Sequence, residues 1–199
     1  MSKEETSTDS KNYYTIHDGT FRVKVAESHP EAVARNWESP DGKSGTKHER
    51  HVKALFGIIT DIKIHEGDYG KNLNITLDEN EEGESPIITT GVKSRYGEDL
   101  LKKLPAMKDG VSYRFAPFDF PSEKDPTRHV TGVSITSQDA EEKYTVKVAG
   151  FFYDVEKKET LNGYPEPTDE DKEDWKFYFM KANKFLLKYT EDNVLPKYV

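Results

Sequence analysis

The chain has 199 residues, a formal net charge of -8 and no cysteine. The missing cysteine excludes disulfides, cysteine nucleophiles and thiolate metal sites, and it fits a reducing compartment. With 34% hydrophobic and 33% charged residues, the composition predicts one modest core with loose extensions, and no apolar run approaches the ~20 residues a membrane-spanning helix needs.

In chain order, "MSKEETSTDSKN" lacks an apolar stretch, which predicts a disordered leader over residues 1–11 rather than a secretory signal. In "YYTIHDGTFRVKV", Phe21, Val23 and Val25 alternate with Arg22 and Lys24, predicting a first strand with a basic outer face. "ESHPEAVARNWESPDGKSGTKHER" is rich in Pro, Gly, Ser and charge and reads as a long loop carrying Arg35, Trp37, Lys43, Lys47 and Arg50. Loops of that length without structure of their own are often functional. "HVKALFGIITDIKIHEG" predicts a long strand bent at Gly57. It turns at "DYGK" into "NLNITL", where Leu73, Ile75 and Leu77 point one way and Asn72, Asn74 and Thr76 the other.

"PIITTGV" is a third strand of this hairpin system. "SRYGEDLLKKLPAMKDG" predicts a helix capped by Ser94, with Leu100, Leu101 and Leu104 at helical spacing and a stop at Pro105. "VSYRFAPFDF" and "RHVTGVSITS" are two more strands, "KYTVKVAGFFYDV" a further strand or an arm, and "NGYPEPTDEDKED" a linker. The last element, "DWKFYFMKANKFLLKYTEDN", places Trp175, Phe179, Ala182, Leu186 and Tyr189 near a 3.6 period, as in a helix. The order predicts a mainly β protein: a small closed OB-like Greek-key barrel over residues 12–155, with one inserted helix. An acidic linker, 156–174, and a C-terminal helix and tail, 175–199, follow.

No phosphate-cradling loop, dinucleotide fingerprint or nucleophile elbow is present. His48 and His51 are three residues apart, unlike the i, i+4 pair of a zinc helix. The acidic clusters "DENEEGE" and "DEDKED" lie in polar loops that give no cause for a raised pKa. These patterns call for no enzyme, metal or cofactor; a hydrolase built on scattered carboxylates is the remaining catalytic alternative.

What is present is aromatic residues interleaved with basic ones. Single-stranded nucleic acid offers flat bases that stack on rings, at about 1–3 kcal/mol each, and phosphates that release counterions when neutralised. A net charge of -8 argues against such a ligand, but binding is local. Residues 22–71 carry nine Lys or Arg against eight Asp or Glu, whereas "EPTDEDKED" at 166–174 holds six acids and one Lys. The candidate contacts are Arg22, Lys24, Arg35, Trp37, Lys43, Lys47, Arg50, Tyr69, Lys71, Asn72 and Asn74. Asn72, Asn74 and Thr76 are expected to form a polar floor with Tyr69 as a stacking platform, and Trp37, in its charged loop, is expected to touch the ligand.

The succession "FGIITDIKI", "DYGKNLNITL", a strand, a helix ending in "LLKKLPAMKDG", and "VSYRFAPFDF", with "HPEAVARNWESPDGKSGTKHER" upstream, resembles the OB-fold single-stranded DNA-binding proteins of bacteriophages over about residues 12–155. The resemblance implies a cytoplasmic protein, in the host cell if phage-encoded, that coats transient single strands in replication or recombination without catalysis or metal. Many such proteins end in an acidic tail that recruits partner enzymes; here the chain departs from that pattern, since the acidic run, 166–174, is internal, and either it recruits replication or recombination enzymes from inside the chain or the terminal helix has another task. Rings on more than one face of the final helix predict packing on the barrel or a homodimer contact. The alternative is a protein-interaction or virion-associated β-barrel module without nucleic-acid binding, which the acidic balance and aromatic helix suit equally well.

Overall fold

The computed structural model describes residues 12–39, 41–67, 70–80, 83–169, 171 and 175–198; the leader expected at 1–11 lies outside them. A two-residue turn, Asp18-Gly19, opens the described chain, with φ of 46° and 70°. Positive φ at both positions gives the twist a tight hairpin demands, and it joins β1 (Tyr13–His17) to β2 (Thr20–Lys24). The single strand expected around Phe21 is therefore a pair. Glycine also meets a steric demand here, since a Cβ at Gly19 would meet the Asp119 backbone nitrogen at 2.7 Å.

The long loop expected next is also corrected. It forms β3 (Val33–Glu38) and β4 (Ser44–Val52), an antiparallel hairpin closed at Ser39–Lys43. Expected and observed elements then agree through β5 (Leu55–Gly67), β6 (Gly70–Leu77) and β7 (Ile87–Gly91). Near Gly57 (φ 153°) β5 exchanges partners, pairing with β8 (Ser112–Pro121) through Leu55–Ile58 and with β6 beyond Ile59. The Asp78 carboxylate accepts the Ile58 N–H at 2.8 Å and sits where a Cβ on Gly57 would be, so the bend has a steric cause. The chain continues through α1 (Arg95–Lys103), β8, β9 (His129–Gln138) and β10 (Tyr144–Lys147). A two-residue pair, β11 (Tyr153–Asp154) and β12 (Glu159–Thr160), precedes α2 (Trp175–Asn193).

The ladders make one ten-stranded sheet in the order β10-β9-β8-β5-β6-β7-β1-β2-β4-β3. The expected closed barrel is not formed. β1 pairs in parallel along β7, so the N-terminal strands occupy the β7 edge that closure would use, and the sheet is mainly antiparallel and open. One face is the core: Phe21, Leu73, Ile75, Leu77 and Phe115 are fully buried, and α1 lays Leu100 and Leu101 on them. Ser94 caps α1 by accepting the Gly97 N–H at 3.0 Å. Asp99 ties it to β9, accepting the Val133 N–H and the Lys103 ammonium at 2.7 Å each.

α2 crosses this assembly through Ala182, Leu186 and Thr190, and Leu186 and Val194 join the same core. The expected apolar stripe is covered only in part, because Trp175 and Phe179 remain 45% and 53% exposed. Phe152 is buried against Tyr164, Phe185 and Tyr189, so the stretch before the acidic residues is docked at Phe152 and Tyr164. No helix of the described residues is long and apolar enough to cross a membrane.

Replacing Leu100 by Ala removes a fully buried side chain at the α1–sheet contact and should cost about 3 kcal/mol in urea unfolding. Phe179→Ala, at an exposed position, should cost less than about 1 kcal/mol. Equal losses would contradict this placement of the core.

Candidate nucleic-acid interface

Because strand side chains alternate, the register fixes which residues share the face opposite the core. Lys63 of β5 pairs with Asn74 of β6, and Asn74 with Thr89 of β7. Thr89 pairs with Thr15 of β1, Thr15 with Arg22 of β2, and Arg22 with His51 of β4. One polar row thus crosses six adjacent strands, a span of about 24 Å at ~4.8 Å per strand. Beside it run His65–Asn72–Gly91, Lys24–Glu49–Val33, Arg35–Lys47 and Trp37–Gly45. Lys63, Thr15, Thr89, His17 and His51 were not among the candidate contacts read from the sequence. Their only signal is cross-strand register, which one strand read alone does not carry.

Of the expected contacts, the structure brings Arg22, Lys24, Arg35, Trp37, Lys47, Asn72 and Asn74 onto this face. Lys71, next to Asn72, necessarily points the other way and pairs with Glu191 of α2 at 3.1 Å. Arg50, paired with Val23, also lies on the core side, and its guanidinium donates to the Tyr14 hydroxyl at 3.2 Å. Lys43 is in the β3–β4 turn, 2.9 Å from Asp41. Tyr69 lies outside the described residues.

Trp37 does not stand free in a loop, as its sequence setting implied. Its ring lies across Gly45, where a Cβ would come within 3.0 Å of the indole nitrogen, and the Lys47 ammonium sits 5.3 Å from the ring centroid. Ring and cation are therefore held together.

The electrostatic centre is Glu49, only 8% exposed. It accepts two hydrogen bonds from Arg35, at 3.0 and 2.8 Å, and lies 4.0 Å from Arg22. Arg22 also meets Asp18 at 2.6 Å. The Arg35 hydrogen bonds hold the Glu49 carboxyl below its usual value. Partial desolvation, then the guanidiniums of Arg22 and Arg35, lower His17 below its usual 6.5. Lys24 and Lys47 have no ion-pair partner among the described residues, whereas Lys63 is bridged to Asp61 at 2.5 Å.

Where Asn72 and Thr89, of adjacent rows, approach the start of α1, a cleft of about 650 Å³ opens, lined by His17, Asn72, Thr89, Arg95, Asp119 and His129 among others. Its far wall is tied in place: Tyr96 accepts the Gly19 N–H at 2.8 Å, and His129 contacts Asp119. Among the described residues no cluster of His, Asp and Glu is arranged to hold a metal ion. Comparison with protein-family models, with curated proteins and with solved structures finds no match.

Glu49→Gln leaves the guanidiniums in place but removes the charge they share, and should cost about 2 kcal/mol at neutral pH. A carboxyl whose folded pKa is depressed stabilises the fold above its unfolded value, here 4.5, and loses that contribution as pH falls through the folded value. Urea midpoints measured from pH 7 to 3 should therefore fall more steeply below 4.5 for the wild type than for Glu49→Gln; parallel acid limbs would contradict it.

Proposed function

We propose that this chain binds single-stranded DNA, without catalysis and with little sequence preference, along the outer face of its sheet. The observation that carries the reading is the polar row from Lys63 to His51, six strands wide and flanked by Lys24, Lys47 and Trp37. A floor of amides and hydroxyls accepts a strand without fixing its sequence. Lysines supply phosphate contacts that release counterions, and Trp37 offers aromatic surface near one end.

The connectivity supports an OB-like reading of the central strands. β9-β8-β5-β6-β7 is the order of a five-stranded OB barrel opened between its third and fifth strands, with α1 inserted before its fourth. In that fold, oligonucleotides lie on the second and third strands and the adjoining loops. Those strands correspond here to β6 and β7, which contribute Asn72, Asn74 and Thr89, while Asp119 and His129 flank the β8–β9 loop. The reading places the protein in replication or recombination, in the cytoplasm, with the acidic stretch 166–174 as the contact for partner enzymes.

One observation favours the alternative of a protein-interaction or virion-associated module. Phe177, Phe179 and Met180 are 66%, 53% and 61% exposed at the start of α2, a concentration of apolar surface that nucleic acid does not require. A contact between two copies through α2 would use the same surface.

Fluorescence anisotropy with labelled oligo-dT and with duplex, at several salt concentrations, tests the proposal. The single strand should bind more tightly, and Lys24→Ala with Lys47→Ala should reduce the slope of log affinity against log salt by about 1.4, at ~0.7 per phosphate contact on single strands. Wild-type protein that binds neither ligand at low salt, yet recovers a stable protein complex in pull-down, would replace this reading with the alternative.

A further inference from the structure

The side of the sheet beyond the bend at Gly57 carries a second row on the same outer face. Phe56 of β5 pairs with Arg114 of β8, Arg114 with Thr136 of β9, and Thr136 with Lys147 of β10. We infer that this row is a second single-stranded nucleic-acid site, separate from the Lys63–His51 row, so that a long strand occupies two tracks on one molecule. The ligand class rests on the reading above; the location does not, because none of these residues belongs to the Lys63–His51 row or its flanking pairs.

Phe56 is 49% exposed in the middle of a strand, where burial would have been favourable. It is not loose. The Arg114 guanidinium lies 6.0 Å from its ring centroid, and the Tyr144 ring meets it edge-on at 5.0 Å. Tyr144 is fixed in turn by a hydroxyl–hydroxyl hydrogen bond with Ser112 at 2.7 Å. A ring held by its neighbours, with open area left over, offers a base a surface at little ordering cost.

The charge around it differs from that of the first face. Arg22 and Arg35 share Glu49, but among the described residues neither Arg114 nor Lys147 has a carboxylate within 4.0 Å. Of the acids in the nearby β9–β10 turn, Asp139 accepts from Thr145 and Glu141 pairs with Lys143, while the exposed Glu142 makes no ion pair with either cation. Between the two cations, Thr136 is 7% exposed and its unpaired hydroxyl is buried, so it spaces the cations without itself offering a ligand contact. From Phe56 to Lys147 the row spans about 14 Å over three strand spacings. A base stacked at Phe56 therefore leaves its neighbouring phosphates within reach of Arg114 and Lys147.

The test uses the full chain and oligo-dT of about 30 nucleotides, longer than the roughly 4–16 one OB domain covers. Ultraviolet cross-linking followed by peptide mapping should mark Phe56 or Tyr144. The pair Arg114→Ala and Lys147→Ala should weaken binding about tenfold and abolish that cross-link, with the thermal midpoint unchanged. The pair Lys24→Ala and Lys47→Ala, run in parallel, separates the two proposals. If only the Lys24/Lys47 variant loses affinity and Phe56 and Tyr144 stay unmodified, the second site is overturned and the first face stands. If only the Arg114/Lys147 variant loses affinity, the second site stands and the first face falls; loss in both supports both. Wild-type protein that binds no single strand at low salt overturns the two together.

Discussion

Three residue pairs, Tyr13–Ile87, Tyr14–Ile88 and Thr15–Thr89, hold the two halves of the sheet together. Among the described residues they form the one parallel ladder of the ten-stranded sheet, and everything outward from β1 depends on it. The pairing divides its residues between two tasks. Tyr14 and Ile88, 2% and 1% exposed, supply the apolar contact on the core side. Thr15 and Thr89 carry the polar row across the junction on the other. The Ile87 N–H donates to the Asn12 carbonyl at 2.9 Å, extending the junction by one bond. Without this ladder Lys63, Asn74 and Thr89 would end one short polar patch, and Arg22, His51 and the β3–β4 hairpin would belong to another.

Charge is organised on the same principle of local pairing. The total is -8, but the outer face is built around a buried carboxylate held between guanidiniums, which fixes their geometry while neutralising part of their charge. Glu49 therefore has a positioning role and a cost: it orders Arg35 and Arg22, and it leaves lysines such as Lys24 and Lys47 to supply much of the uncompensated charge. On the proposed reading, attraction for a polyanion on this face would be moderate and strongly screened by salt. The Phe56–Arg114–Lys147 row is built the opposite way: among the described residues its cations have no carboxylate within 4.0 Å, and they stand beside a half-open ring.

Periodicity made part of this legible from residues alone. Leu73, Ile75 and Leu77 alternate with Asn72, Asn74 and Thr76 strictly enough that one face had to be core, and Leu100, Leu101 and Leu104 end at Pro105 as a helix should. The β3–β4 hairpin escaped because both its faces are polar: Arg35, Asn36, Thr46 and Lys47 give no apolar alternation to detect. The Asp18-Gly19 turn did carry a signal, since Asp-Gly between alternating residues is a strong hairpin cue, but Phe21 and Val23 drew the strand into one. With strand phase assigned, Lys71 had to face away from Asn72. Arg50 could not be placed while its segment was taken for a loop. Barrel closure was beyond reach, because the parallel β1–β7 ladder joins residues more than seventy positions apart, and no local pattern encodes it.

The central claim is that the outer face of β6, β7, β1 and β2 is where a single strand lies. Amide chemical shifts of isotopically labelled protein, titrated with oligo-dT at low salt, test it most directly. The account predicts shifts at Asn74, Thr89, Thr15 and Arg22 that diminish together as salt rises, with the buried turns of α2 around Leu186 unmoved. Shifts confined to α2, or no shifts on this face while the ligand is bound, would contradict it.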